Sequence, residues 1–379
     1  MAAQSASHPA SPSPTGTDMA WCGETIDRRA FLKAAGIGFA AALSPRSLHA
    51  LERADAVYAS GFRAPDGFFG IATISERGEI IDRVALPARA HGMAFSSVTG
   101  RSVAFARRPG TFAMVFDPSR QAEPIVITAP EGRHFYGHGH FSPDGAILYA
   151  SENDFDGNRG MIGLYDGRNA FRRIGEFDAH GIGTHDMTVS DDGALLVIAN
   201  GGIETHPDFG RTKLNLDRME PSLVMLDAKS GALIQKHPMP SSLSQLSSRH
   251  LDIADNGRIW FACQWEGARN ETPPLAGWFS KGEDIALLSL PDETTARLAN
   301  YVGAIAVNRH ENIVGLTSPI GGASVMLDAK TGLVLAEEDV REAAGVAPAA
   351  HGIAVSSYDG NFNGTLSDVA WDQHIIRIK

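Results

Sequence analysis

Histidines recur at matching places along the chain, and their chemistry is that of metal ligands. His91, His185 and His351 each stand five residues before a serine that opens a predicted turn, and His138 and His250 are offset from this place by one residue. Imidazole nitrogens bind zinc, copper, iron and nickel, and histidines from distant parts of a chain can share one ion. The candidate metal ligands are His91, His138, His140, His185, His250 and His351.

These histidines belong to a repeat whose copies begin 46 to 64 residues apart, and each copy predicts four short strands. The first two strands are joined by turns such as "SPDG", "SDDG" and "ADNG". Asp-Gly and Asn-Gly supply the positive φ that tight hairpins need. Four antiparallel strands per repeat describe the blade of a propeller. We therefore predict an all-β, seven-bladed β-propeller in which the two chain ends share the blade that closes the ring.

In such a ring the innermost strands line a central tunnel, so residues in one register lie together at one mouth. The loops that follow the second strand of each blade face the same mouth and are rich in charged and amide side chains. We predict that this mouth is the functional face. Arg249 is expected to pair with Asp186 or Asp252, and pairing with a substrate carboxylate is the alternative. The expected mouth-lining residues are Arg107, Glu152, Asn153, Asn200, Glu204, His206, Arg249, Gln264, Trp265 and Glu266.

The first fifty residues are typical of a targeting segment. The stretch "DRRAFLKAAGIGFAAALSPRSLHA" is similar to a twin-arginine export signal. Its apolar run is too short and too rich in Ala and Gly to span a bilayer. We predict a leader and signal peptide over residues 1–50, a propeller over residues 53–379, and export to the periplasm as a protein with no membrane contact in its mature form.

Composition restricts the class of partner. A formal net charge of −11 disfavours nucleic acid and anionic lipid and favours cations. The chain has no Gly-x-Ser-x-Gly elbow and no phosphate-binding loop at a strand-to-helix junction, so the sequence identifies no catalytic residue. We expect a monomer.

Several motifs together carry a family resemblance: "HGMAFS", "GHGHFSPDG", "THDM", "SSRHLDIADNGRIWFACQWEG" and the terminal "WDQHIIRIK". With these motifs the chain resembles domain-of-unknown-function family 1513, exported bacterial proteins with a seven-bladed propeller similar to the YVTN and surface-layer repeat propellers. Members are often encoded beside imelysin-type and di-haem peroxidase-like proteins. The resemblance therefore implies a role in periplasmic iron acquisition, with iron-uptake proteins as partners, and it assigns no catalytic residues.

The leading hypothesis is a non-catalytic propeller that binds a transition metal, iron or copper, or a metal-carrying partner, at the His-rich mouth. One alternative is a metal-dependent propeller hydrolase or lactonase, in which the ion polarises an ester or activates water. Another is a protein-interaction scaffold. Recognition of a small ligand by the same histidines, or histidines that merely line a wet tunnel, also fit the sequence.

Overall fold

The computed structural model describes residues 55–379, which form seven four-stranded antiparallel sheets. The innermost strands of successive sheets contact one another in a closed ring, so each sheet is a blade and the ring encloses a tunnel. The predicted all-β, seven-bladed propeller is confirmed. The predicted leader and signal peptide over residues 1–50 lie outside the described residues.

In each of the first four blades, the first-named strand lines the tunnel and the other three follow outward. Blade 1 contains β28 (Ala370–Arg377), β1 (Ala56–Arg63), β2 (Phe69–Ser75) and β3 (Ile80–Leu86). Blade 2 contains β4 (Ala90–Ser96), β5 (Arg101–Ala106), β6 (Phe112–Phe116) and β7 (Ile125–Thr128). Blade 3 contains β8 (Arg133–Phe141), β9 (Ile147–Asp154), β10 (Arg159–Asp166) and β11 (Arg172–Asp178). Blade 4 contains β12 (Thr184–Val189), β13 (Leu195–Asn200), β14 (Ser222–Asp227) and β15 (Leu233–Pro238).

The remaining three blades follow the same order. Blade 5 contains β16 (Leu246–Ile253), β17 (Ile259–Trp265), β18 (Ala276–Phe279) and β19 (Ala286–Leu287). Blade 6 contains β20 (Ala304–Asn308), β21 (Ile313–Ser318), β22 (Ala323–Asp328) and β23 (Val334–Asp339). Blade 7 contains β24 (Ala343–Pro348), β25 (Ile353–Ser357), β26 (Asn361–Phe362) and β27 (Thr365–Leu366). Short helices occupy Pro207–Phe209 and Ser241–Leu243 (both 3-10) and Asp292–Arg297 (α1).

The two ends of the propeller close the ring within blade 1, as predicted. The C-terminal strand β28 is innermost and pairs antiparallel with β1, with Phe62 opposite Trp371 and Tyr58 opposite Arg377. Trp371 is buried, and its indole N–H donates to the Gly360 carbonyl at 3.2 Å. The C-terminal strand of the chain therefore forms part of the tunnel wall.

The innermost strand of blade 7 is not the one that the alignment of the sequence repeats predicts. The stretch "HGIAVSS", which matches β4 almost residue for residue, forms the second strand β25, while the innermost strand β24 reads "AAGVAP". A strand of Ala and Gly has little β-propensity and gives no periodic signal, because close packing near the axis selects small side chains there.

Apolar layers between the blades hold the ring together. Trp260 and Phe261 on β17 are fully buried, and both belong to the largest apolar cluster. Cys263 on the same strand is also fully buried, and burial raises the pKa of its thiol. Over residues 55–379, no helix combines the length and hydropathy that crossing a membrane requires.

Candidate metal centre

Five histidines from five blades meet at one end of the tunnel. They are His91 on β4, His138 on β8, His185 on β12, His250 on β16 and His374 on β28. Eight pairs of their rings have centroids between 4.7 and 5.7 Å apart. We call these five residues the histidine cluster.

Each histidine of the cluster lies where its strand departs from regular pairing. The register shifts between Ala90 and Met93 in β4, around the histidine in β8, β12 and β16, and between β28 and β1 next to His374. A β-bulge bends its strand and redirects a side chain that would otherwise follow the alternation of the ladder. Five such bulges in the innermost strands bring the five rings to one point on the axis.

Two glycines let neighbouring rings approach. A Cβ atom on Gly92 would lie 2.4 Å from the Gly137 carbonyl oxygen and 2.6 Å from Nδ1 of His138. Gly137 has a φ of +109°, and a Cβ atom on it would lie 2.7 Å from Cδ2 of His91. Any larger residue at either position would occupy the space of a histidine ring.

The cluster contains unpaired polar atoms in a buried place. His91, His138, His185 and His250 are 2 to 7% exposed, and His374 is half-buried at the tunnel. One buried ring nitrogen of each has no hydrogen-bond partner among the described residues: Nδ1 of His91 and Nε2 of His138, His185, His250 and His374. A buried, unsatisfied polar group costs about 1–3 kcal/mol. A metal ion is one group that could satisfy several of these atoms together.

Asp186 on β12 orients two of the rings. Its Oδ1 atom lies 3.3 Å from Nδ1 of His138, and its Oδ2 atom lies 3.6 Å from Nδ1 of His250. The backbone N–H groups of Met187 and Leu251 donate to the same carboxylate at 2.8 and 3.2 Å. Because a carboxylate accepts hydrogen bonds, it favours the tautomers in which Nδ1 carries the proton and Nε2 is free, the usual arrangement behind a metal-bound histidine.

Arg249 sets the opposite tautomer in His185. Its Nη1 atom lies 3.3 Å from Nδ1 of His185, and its Nη2 atom lies 3.3 Å from Oε1 of Glu266. A guanidinium can only donate, so Nδ1 of His185 accepts and the proton of the neutral ring is on Nε2. The predicted partners of Arg249, Asp186 and Asp252, are replaced by His185 and Glu266.

Burial keeps most of the cluster neutral. Desolvation, followed by the charges of neighbouring rings and arginines, lowers the pKa of His91, His185 and His374 well below 6.5, and it lowers that of His250 to about 4. Burial disfavours the charged form of Asp186 as well, but the charges and hydrogen bonds of His138 and His250 outweigh this and hold its pKa well below the usual value. His91, His185, His250 and His374 are thus neutral imidazoles near neutral pH, and Asp186 is ionised.

Two overlapping triads have metal-binding geometry. The ligand atoms of His91, His138 and His185 lie within 4.8 Å of one another, and so do those of His138, His250 and His374. Tetrahedral zinc with nitrogen ligands at about 2.0–2.1 Å places those atoms about 3.3 Å apart, so binding draws the rings slightly inward. His138 belongs to both triads and is the central residue of the cluster.

Two of the predicted ligands lie elsewhere. His351 is on the turn between β24 and β25, its side chain is 92% exposed, and its Nδ1 lies 3.1 Å from Oε1 of Glu311. Its assignment to the tunnel mouth came from the misaligned innermost strand of blade 7. His140 lies two residues further along β8 than His138, where its Nδ1 contacts the Phe141 carbonyl at 2.8 Å, and burial lowers its pKa.

Three predicted mouth residues are buried inside the blades. Glu152 is fully buried between Arg133 and Arg173 and accepts from the Tyr165 hydroxyl at 2.8 Å. The Asn153 amide donates to the Thr205 carbonyl, and the Asn200 amide donates to the Ala179 carbonyl. These side chains therefore hydrogen-bond to backbone carbonyls or pair with charged groups inside the protein.

The other predicted mouth residues lie on loops or at strand ends. Glu266 pairs with Lys213 as well as Arg249, and Glu204 lies 3.5 Å from Arg218. Arg107 carries a charge that contributes to the low pKa of His91. The remaining three are His206, which caps a 3-10 helix, Gln264, which is buried on β17, and Trp265, whose indole donates to the Ala268 carbonyl.

His374 was missed by the sequence reasoning. It stands in "WDQHIIRIK", where a histidine precedes a short apolar strand as it does in "THDMTV" and "SRHLDI". Counting the C-terminal segment as the innermost strand of the closing blade would have placed His374 in register with the other four.

The comparisons with known proteins agree with the fold. A family model described as "Protein of unknown function (DUF1513)" matches residues 84–378, which is most of the chain. The chain belongs to the DUF1513 family. All five histidines of the cluster lie within the matched DUF1513 region.

Two solved structures share the propeller fold with this DUF1513 chain. Kuenenia stuttgartiensis hydrazine synthase aligns with a TM-score of 0.59 and 15% identity, covering 78% of this chain and 91% of that one. The β-propeller domain of Cps50 (Swd1) from Myceliophteria thermophila aligns with a TM-score of 0.57 and 11% identity, covering 80% and 91%. At this identity the likeness is one of fold alone. No curated protein matches the sequence.

Proposed function

We propose that this protein binds one transition-metal ion at the histidine cluster. The observation that carries the proposal is the convergence of five buried ring nitrogens, each without a hydrogen-bond partner among residues 55–379, on the axis of the propeller. Metal ligation satisfies such atoms at once, and neutral imidazole is the form that binds.

His138, His250 and His374 form the better prepared triad. Asp186 favours free Nε2 atoms in His138 and His250, and the unpaired buried nitrogen of His374 is also Nε2. In the other triad, Arg249 places the proton of His185 on Nε2, so that ring must change tautomer before Nε2 can bind. Three neutral imidazoles suit copper and zinc as well as ferrous iron.

Binding is favoured over metal-dependent hydrolysis by the positions of the carboxylates. Glu204 and Glu266, two acidic residues of the predicted mouth, pair with Arg218 and with Lys213 and Arg249. Asp186 is the carboxylate that contacts the cluster, and it lies behind the rings, where it orients ligands.

The proposal includes the setting inferred from the sequence. A twin-arginine signal over residues 1–50 would place the protein in the periplasm, and the family resemblance points to iron acquisition, with a metal-carrying protein as partner. Identifying the ion in protein purified from its native compartment by elemental analysis tests this setting. Iron at one equivalent supports it, whereas copper or zinc in place of iron contradicts the link to iron uptake.

The experiment for metal binding itself is a titration of the metal-free full chain with Zn²⁺, Cu²⁺ or, under anaerobic conditions, Fe²⁺, followed by isothermal calorimetry. We expect one equivalent to bind, and His138→Ala to abolish the tight phase because His138 belongs to both triads. His351→Ala is the matched control, since it removes an exposed histidine outside the cluster. Equal binding by wild type and His138→Ala would refute the assignment.

A further inference from the structure

The tunnel mouth at the histidine cluster carries arginines that outnumber the carboxylates beside them. Arg89 and Arg107 lie on either side of Asp372, at 2.9 and 4.0 Å, and the backbone N–H of Arg107 donates to the carbonyl of Arg89 at 2.9 Å. Arg107 lies near the histidines, because its charge contributes to the low pKa of His91 and His374. A single carboxylate thus faces two guanidinium groups.

Three more arginines complete the group. Arg249, 6% exposed, contacts His185 and Glu266. Burial, then the charges of Arg249, Arg211 and Arg107, lowers the pKa of Arg108 to about 10. Arg211 lies at the solvent edge, where partial desolvation and the charges of Arg107, Arg89 and Arg249 lower its pKa. We call Arg89, Arg107, Arg108, Arg211 and Arg249 the arginine cluster.

The arginine cluster has unused donors. Within residues 55–379, neither Arg108 nor Arg211 has a carboxylate oxygen within 4.0 Å. The Nε and Nη1 atoms of Arg107 and the Nε atom of Arg249 are buried and have no hydrogen-bond partner there. Gathering like charges in a partly desolvated place is unfavourable unless an anion joins them. The excess is notable in a chain whose net charge is −11.

We propose that the arginine cluster binds a small oxyanion, a carboxylate or a phosphate, at the mouth above the histidine cluster. The planar guanidinium donates two parallel hydrogen bonds to either group, and buried donors such as those of Arg107 and Arg249 strengthen such pairs. The hydroxyls of Tyr301 and Tyr358 belong to the same neighbourhood, because the charges of Asp372, Arg107 and Arg89 act on Tyr358 together with Tyr301.

The anion site stands on the arginines alone. A second step rests on the proposed function: the bound anion would also contact the metal, so that the protein takes up the ion together with an anionic chelator. The contact of the Arg249 guanidinium with the His185 ring suits such a complex, because it places an anion-binding group directly beside the histidine cluster.

The test uses the metal-free full chain and calorimetric titration with citrate and with inorganic phosphate, against chloride at equal ionic strength. We expect citrate, phosphate or both to bind one equivalent. Arg108→Gln and Arg211→Gln should each weaken binding at least roughly tenfold, as loss of a charge-assisted hydrogen bond does. Arg211 is exposed, so its variant keeps the fold. Arg168→Gln, on an exposed turn where it pairs with Asp144, is the matched control and should bind as wild type.

The two oxyanions distinguish the ligand. Binding of citrate alone assigns a carboxylate ligand, and binding of phosphate alone assigns a phosphate. Anion binding retained in His138→Ala shows that the arginines act without the metal, so the anion site and the metal site can fail separately. The proposal is overturned if neither oxyanion binds more tightly than chloride, if Arg108→Gln and Arg211→Gln bind as wild type, or if binding appears only after metal is added.

Discussion

The Oδ1 atom of Asp186 lies 3.3 Å from Nδ1 of His138, so a carboxylate from one blade fixes the histidine of the preceding one. The same carboxylate reaches His250 on the following blade at 3.6 Å. One residue therefore links three innermost strands and selects the nitrogen that each ring presents to the axis.

Asp186→Asn should weaken metal binding without unfolding the protein. The amide oxygen still accepts from one of the two backbone N–H groups, which bind different oxygens of the carboxylate, but the negative charge that supports Nδ1–H in both rings is lost. Loss of such an outer-shell carboxylate costs about 10–100-fold in metal affinity. Competition titration with a chelator of known affinity measures it. Asp191→Asn, at an exposed residue paired with Arg309, is the control, and identical affinities in the two variants would contradict the role of Asp186.

His374→Ala should lower metal affinity by at least roughly tenfold, because it removes a ligand of the better prepared triad. His351→Ala should leave affinity unchanged, since that ring is exposed at the turn after β24. Comparing the two variants distinguishes the structure, which places His374 in the histidine cluster, from the sequence alignment, which places His351 at the mouth. A loss of binding in His351→Ala, with His374→Ala unaffected, would reverse the assignment.

Most of the architecture follows from the sequence, because Asp-Gly or Asn-Gly turns and short alternating strands recur along the chain. Four of the five clustered histidines were predictable for the same reason, because they lie within one residue of the same place before the turn of their blade. The exceptions are in the closing region. β24 reads "AAGVAP" and carries no periodic signal, and β28 becomes innermost by pairing with β1 from the opposite end of the propeller. The sequence predicts that the chain ends share a blade but not that β28 is its innermost strand, so the predicted ligands omit His374 and include His351.

The positions of the β-bulges and the partners of buried side chains could not be predicted from the sequence either. Asp186 reads as an ordinary residue beside His185, and its contacts with His138 and His250 depend on the twist between adjacent blades. Glu152 reads as a mouth residue, yet it is buried between two arginines within its own blade. Tertiary packing sets the direction of a side chain at a strand end. A register shift of one residue turns that side chain to the opposite face of the sheet.

Gly92→Ala should damage the cluster. The added methyl group would lie 2.6 Å from Nδ1 of His138 and 2.4 Å from the Gly137 carbonyl, so β4 or β8 must move. Overpacking of this kind costs about 1–3 kcal/mol. We expect both the free energy of unfolding and the metal affinity to be lower than in the wild type, with the larger effect on metal affinity. Gly175→Ala on β11, whose Cβ would meet no atom within 4 Å, is the matched control. Normal metal binding by Gly92→Ala would show that the rings do not need their present spacing.

The metal-free protein should lose stability in mild acid. His91, His185, His250 and His374 have folded-state pKa values below 6.5, that of His250 being about 4, so the unfolded chain binds more protons than the folded one between these values. The free energy of unfolding then falls as pH falls, by up to about 1.4 kcal/mol per pH unit for each histidine.

Asp252 acts in the opposite direction. Burial raises the pKa of its carboxyl to about 6, so its contribution is present at low pH and is lost as pH rises through 6. Four histidines outweigh one carboxyl. Urea unfolding between pH 7 and pH 5 measures the net pH dependence of the free energy of unfolding. His374→Gln should make that dependence less steep. A free energy of unfolding that is flat or rises toward pH 5 would show that the cluster does not hold neutral rings.

The most direct test of the metal centre is X-ray absorption spectroscopy of the full chain loaded with one equivalent of Cu²⁺ or Zn²⁺. The structure predicts at least three imidazole nitrogens at about 2.0–2.1 Å, with the outer-ring scattering typical of histidine, and loss of that signal in His138→Ala. A first shell made of oxygen alone, or a spectrum unchanged by His138→Ala, would contradict metal binding at the histidine cluster.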